Sequence, residues 1–440
     1  MEELRVVEMC SIWTENISLP QFKQLNGNKK TDVLIIGGGM AGILSAYFLE
    51  KAGVDYALVE GRRICSGITG NTTAKITAQH GLIYRKLLKS LGTERARMYL
   101  DANQEAVRKY ARLCRRLNCD YEEKHSYVYS RNDRKKLEDE AAALTKLGYK
   151  PRLIEQCELP FQTVGAVGFA EQAQFHPLKF ISSIAKGLKI YENTFVKELK
   201  EAAAITEHGE ITFQKLIFAT HFPIDNKHGM YPLKMYQHRS YVIALKDGPQ
   251  LKGMYIDEAK QGMSFRNYKD YLLLGGGSHK TGEKGGNWDE IRNCARLYYP
   301  NLDEIYCWAA QDCMTLDAIP YIGRYSRRMP GCFVATGFNK WGMTSSMAAA
   351  SVLTDLVLEK ENPYAFVFNP SRNMIKPQLF VNGYTAVKNL LTISEKRCPH
   401  LGCALKWNKA EHSWDCPCHG SRFDSFGKLL DNPANGNLKR

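Results

Sequence analysis

One short run limits what this chain can become more than any other. Gly37-Gly38-Gly39-Met40-Ala41-Gly42 fits G-x-G-x-x-G. It lies between residues 32–36, Asp-Val-Leu-Ile-Ile, which read as a buried strand, and residues 40–52, which read as a helix. The first glycine permits the tight turn, the second lets a pyrophosphate approach the backbone, and the third lets helix and strand pack closely. The helix start then offers free N–H groups and a positive dipole end to phosphates. Residues 56–60 read as a second strand, giving a βαβ opening that ends on Glu60, eighteen residues after Gly42. The Glu60 carboxylate suits a ribose diol, and because it precedes Arg62 and Arg63, a 2′-phosphate is excluded. An ordinary glycine-rich turn is the bland alternative; strand, helix and acid together select a dinucleotide.

Other pieces decide which dinucleotide. Residues 67–75 form a small-residue loop containing Thr72 and Thr73, suited to run under a flavin. Residues 211–219 read as a strand, and Ala219-Thr220-His221-Phe222-Pro223 follows it as a turn, placing Thr220 against the dinucleotide. Residues 317–323 and 335–344 come late. The second of these ends a strand and starts a helix predicted over 342–358, bringing Gly337, Gly342, Met343 and Thr344 to the pyrimidine edge of an isoalloxazine. A helix N-terminus there stabilises negative charge at N1–C2=O. Between these motifs, residues 87–118 and 135–147 read as helices, and 241–245, 271–274 and 329–335 as strands of a large sheet. On these five motifs, residues 31–360 resemble the FAD-dependent D-amino-acid oxidase and glycine oxidase family. The resemblance implies an α/β fold, with a Rossmann-like FAD-binding domain and a mixed-sheet substrate domain. It also implies dehydrogenation of a small amine or amino acid. No catalytic acid or base is assigned: His80, His176, His221 and Tyr321 read as structural, Cys313 as a buried thiol and Lys340 as a solvated lysine.

The net charge is +14, but the sixty basic residues are spread along the chain and nothing resembles a nucleic-acid module. The acidic start and the uncharged run 33–49, too short to span a bilayer, predict a soluble, cytoplasmic protein without a transmembrane segment, for which peripheral membrane association stays open. Residues 1–30 read as a polar lead-in and 361–383, with Pro363, Pro370 and Pro377, as a linker.

Thirteen cysteines are many for that compartment, and four fall between 398 and 418. Cys398-Pro399-His400 and Cys416-Pro417-Cys418-His419 are separated by fifteen residues, and each arm carries one thiolate and one imidazole. Two thiolates hold one iron and two imidazoles the other in a two-iron, two-sulfide cluster; a Cys2His2 zinc site is the alternative. Gly402 and Gly420 supply tight bends, and Ser421 is placed to donate to a bridging sulfide. This run resembles Rieske proteins of the cytochrome bc type. The resemblance implies the iron ligands Cys398, His400, Cys416 and His419, a disulfide between Cys403 and Cys418, and a small all-β domain over 384–440, shortened because few residues precede the first ligand loop. The joint expectation is an oxidoreductase carrying FAD and a [2Fe-2S] cluster, with a small-molecule substrate and an electron acceptor or donor protein. The alternative is a flavin oxidase using oxygen directly, with the tail as a docking or regulatory module.

Overall fold

The computed structural model describes Val7, residues 9–225 and residues 227–439. Strand β1 (Lys29–Ile36) leads through the glycine turn into helix α1 (Met40–Lys51) and back into β2 (Tyr56–Val59). Seven of the eight residues 33–36 and 56–59 are no more than 1% exposed, and Ile36 is 5% exposed, which is why both strands read as continuous apolar runs. β1 pairs in parallel with β2 on one side and with β3 (Gly209–Phe218) on the other; β3 pairs in parallel with β4 (Met329–Thr336). Helix α2 (Gly342–Val357) follows β4 and packs directly against α1 on one face of this sheet. The result is a Rossmann-like half in which the ends of β1, β3 and β4 meet at one crevice.

The second sheet has nine strands. Its long members, Met235–Lys246, Tyr271–Lys280 and Glu304–Thr315, pair antiparallel, and it forms the roof over that crevice. A third, four-stranded antiparallel sheet is built from Lys406–Asn408, Ser413–Asp415, Arg422–Asp424 and Leu429–Asp431.

Two expectations are corrected. The polar lead-in is partly core: Ile12 and Trp13 are buried, and Trp13 Nε1 donates to the Thr72 carbonyl at 2.6 Å. The stretch read as a linker contains a helical turn, Ala365–Phe368, and the start of α3 (Pro377–Leu391). Pro377 opens that helix at a position that needs no N–H donor. The helix is inverted. Asn382 and Asn389 face inward, Asn382 donating to the Leu233 carbonyl at 3.0 Å, while Phe380, Tyr384, Val387 and Leu391 face outward. Where base strands are absent ahead of Cys398, α3 backs the ligand loops instead: the Ala404 N–H donates to the Asn389 carbonyl at 2.9 Å. No helix among the described residues is long and apolar enough to cross a membrane.

Candidate active site and cluster centre

The crevice opens into a cavity of about 1180 Å³. Gly37 has φ +112°, and a Cβ there would stand 2.4 Å from the Ala219 carbonyl oxygen, so the turn after β3 lies directly on the glycine turn. A Cβ on Gly42 would stand 1.9 Å from the Gly37 oxygen, so Gly42 sets helix–strand packing. Beside Gly39 only Thr69 Oγ1 comes close, at 3.4 Å, leaving room for a ligand. Glu60 accepts from the Gly38 N–H at 2.7 Å and the Arg62 N–H at 2.9 Å, and its carboxylate still borders the cavity. Gly37, Gly39, Glu60, Thr72, Thr73, Thr220, Gly337, Gly342 and Met343 all line it. Two expected residues do not. Gly42 sits behind the turn. Thr344 points the other way, with Oγ1 donating to the Thr77 carbonyl at 3.0 Å and meeting His80 Nε2 at 2.9 Å. The helical rotation brings Gly342, Met343 and Ser346 to the cavity and carries Thr344 off it. The open cradle before Gly39 and the helix start behind it fit a dinucleotide.

Two buried basic residues that the sequence did not single out stand at the cavity, Lys75 on its wall and Arg266 beside Lys75. Lys75, 9% exposed, lines the cavity, and burial beside Arg266 lowers its pKa to about 7. Arg266 donates to the Thr73 and Ala74 carbonyls at 2.7 and 2.9 Å, while its Nη2 is buried without a partner among the described residues. His80 stacks on Trp341 at 4.9 Å, and burial lowers its pKa to about 3, keeping it neutral. His221 lines the cavity, with Nε2 at 3.3 Å from Gln237 Oε1. Lys340 lines it too, bonded to Ser278 Oγ, and its side chain is exposed, as expected of a solvated lysine. Tyr321 lies outside, under the Arg372 guanidinium at 4.0 Å. His176 caps the helix Pro177–Ile184, its Nδ1 accepting from the Lys179 N–H at 3.2 Å. Cys313 is buried against Met235 and Thr336.

The C-terminal ligand loops are twins. The Gly402 N–H donates to the Cys398 carbonyl and the Cys398 N–H to the Cys403 carbonyl; Gly420, Cys416 and Ser421 repeat the pattern, all four bonds at 2.9 Å. Gly402 and Gly420 turn the two loops at φ +77° and +82°, a region open to glycine. Cys398 and Cys416 are buried and their thiols meet. The His400 and His419 rings lie edge to face at 4.9 Å. His419 Nδ1 is buried without a hydrogen-bond partner among the described residues, while the Pro232 carbonyl engages the ring. Ser421 bonds to Cys398, and its Oγ accepts from the Ala434 N–H at 3.0 Å. Two thiols, two facing imidazoles and an unclaimed imidazole nitrogen fit a two-iron cluster. Cys403 and Cys418 stand as free thiols, not as the bonded pair the resemblance implied; their sulfurs and that of Cys416 lie within 4.8 Å of one another.

The cluster loops press against the flavin half. Phe222 packs on both imidazoles, with ring centroids 6.3 Å from His400 and 6.2 Å from His419. Gln311 Nε2 donates to the Gly420 carbonyl at 2.8 Å. Glu411 accepts from Arg239 Nε at 3.0 Å, Tyr241 Oη at 2.8 Å and Arg422 Nη2 at 2.7 Å.

Comparison with known proteins agrees with this geometry. Residues 32–356 match the FAD dependent oxidoreductase family and residues 372–440 the Rieske [2Fe-2S] domain. The chain therefore belongs to the FAD-dependent oxidoreductases, in a form that carries a Rieske domain at its C-terminus. It is 35% identical to the putative Rieske 2Fe-2S iron-sulfur protein YhfW of Bacillus subtilis, covering 97% of this chain and 96% of that one. Over 37 residues, 8% of this chain and 21% of the other, it is 54% identical to the cytochrome b6-f complex iron-sulfur subunit 1 of Nostoc. The glycine oxidase structure from Geobacillus kaustophilus shares its fold, with TM-score 0.65 and 18% identity over 78% of this chain and 99% of that one. FAD and a [2Fe-2S] cluster are its cofactors, and it is an oxidoreductase.

Proposed function

We propose that this chain dehydrogenates a small amine or amino-acid-like substrate in the cavity and passes the electrons through the cluster to an acceptor. One observation carries the reading. Thr220 and His221 line the cavity, and the next residue, Phe222, packs on both cluster imidazoles. FAD supplies a two-electron acceptor that can release electrons singly, and the cluster a one-electron carrier. The chain's own residues do the rest. The glycine turn and the α1 N-terminus would hold the pyrophosphate, Glu60 would accept from the ribose diol, and the start of α2 would take the pyrimidine edge. Cys398 and Cys416 would hold one iron, and His400 and His419 the other. The walls orient the substrate, with neutral His80 and the buried Lys75 among them. The fold likeness to glycine oxidase supports an amine or amino acid as substrate.

We infer that the acceptor side is the outward stripe of α3 and that, in a cytoplasmic setting, it rests on an anionic bilayer. Phe380, Tyr384, Val387 and Leu391 are exposed along it, and residues 376–397 carry four Lys or Arg against one Glu. Direct use of oxygen is the second reading, favoured by Lys340 on the cavity wall. A panel of small amines and amino acids, added without oxygen, tests the first. Bleaching of the flavin together with the electron paramagnetic resonance (EPR) signal of a reduced cluster supports it. Bleaching with the cluster left oxidised speaks for the second.

A further inference from the structure

The cavity is not walled by the flavin half alone. Lys428, Leu430, Asp431, Asn432, Asn435 and Asn437 also line it, and all come from the last strand of the cluster domain, the residue before it and the closing loop after it. The attachment of this loop is specific. Asn432 Nδ2 donates to the Thr220 carbonyl at 2.7 Å and to the Phe222 carbonyl at 2.9 Å. Those carbonyls belong to the turn that rests on Gly37. Asn432 thus lines the cavity and at the same time braces the turn that packs on the glycine loop. Asp431 is held by Arg422 Nη1 at 3.0 Å, and Arg62, beside Glu60 on the cavity rim, adds a further attraction. Behind the loop, Gln311 and Arg239 tie the domain down through Gly420 and Glu411.

We propose that residues 428–437 form the closing wall of the FAD site, fastened by Asn432, so that FAD affinity and docking of the cluster domain are linked. A dinucleotide running from Glu60 to Gly342 has one flank covered by this loop; lifting the domain returns that flank to water. Whatever docking adds to FAD affinity, bound FAD adds to docking, by reciprocity. The inference rests on FAD as cofactor and not on the electron route, so its failure leaves that route standing.

The test uses full-length apoprotein titrated with FAD, read by the loss of free-flavin fluorescence. Asn432→Asp keeps the size of the side chain but cannot donate to either carbonyl. Two lost hydrogen bonds weaken FAD binding roughly tenfold, with the EPR signal of the cluster at parental strength. Affinity within about twofold of the parent overturns the role of Asn432. Hydrogen exchange of the unmodified protein is the second arm, needing no variant to fold. FAD slows exchange at 428–437 as well as at the glycine turn. Unchanged exchange at 428–437 on FAD binding overturns the proposal whatever the variant does.

Discussion

Removing the Glu411 carboxylate tests the joint between the two halves. Arg239 is 3% exposed and Arg422 7%, and both guanidiniums meet this one acid, itself 10% exposed. Arg422 keeps Asp415 and Asp431 when Glu411 is lost, whereas Arg239 has no other carboxylate within ion-pair distance among the described residues. Glu411→Ala therefore leaves a buried, unpaired guanidinium, which costs about 3–5 kcal/mol. A second route gives a similar size. Burial raises the Glu411 pKa, but the Arg239 and Arg422 charges outweigh it and hold the carboxyl at about 2. Against an ordinary glutamate near 4.5, a gap of roughly 2.5 pH units is worth about 3 kcal/mol. The folded pKa is depressed, so this stability is complete above about pH 4.5 and is lost as pH falls towards 2. The assay is urea unfolding of the holoprotein at neutral pH, followed by cluster absorbance. Glu411→Ala should lower stability by about 3 kcal/mol or more, whereas replacing Arg239 and Glu411 together by Met and Leu should recover most of it. A change below about 0.5 kcal/mol for Glu411→Ala, or a double variant as weak as the single, refutes the argument.

Three further outcomes follow. Gly42→Ala drives a methyl into the Gly37 carbonyl, so the protein should purify with little FAD while retaining its iron; a full complement of flavin contradicts the packing role. Glu140, 1% exposed, caps a helix start by accepting from Tyr84 and Arg85, and burial lifts its pKa to about 7. Its folded pKa is raised, so stability falls by about 3 kcal/mol as pH rises from 4.5 to 7; Glu140→Gln should remove that slope, read by urea unfolding at pH 5 and pH 8. Phe380→Glu with Leu391→Glu should abolish flotation with anionic liposomes, and a parent chain that fails to float removes the bilayer from the account.

Local features were legible in sequence because their physics is local. The glycine turn, the strands beside it and α2 follow from runs of ten or so residues, and the ligand loops from spacing within each arm. Features made by distant pairing were not. Lys75 and Arg266 meet only because the nine-stranded sheet brings them together. Arg239 and Glu411 are 172 residues apart. Helix α3 was hidden by its inversion: Asn382 and Asn389 occupy the inner face where an apolar stripe is expected. Trp13 gave no signal because a lone buried aromatic has no period to detect.

The central claim is that flavin and cluster exchange electrons within one chain. Rapid mixing of the anaerobic holoprotein with a hydride donor to the flavin, followed by freeze-quenched EPR, tests it most directly. The account predicts that the signal of the reduced cluster grows as flavin is reduced, at a rate independent of protein concentration. A fully bleached flavin beside a cluster that stays oxidised, or one reduced only by collision between molecules, contradicts it.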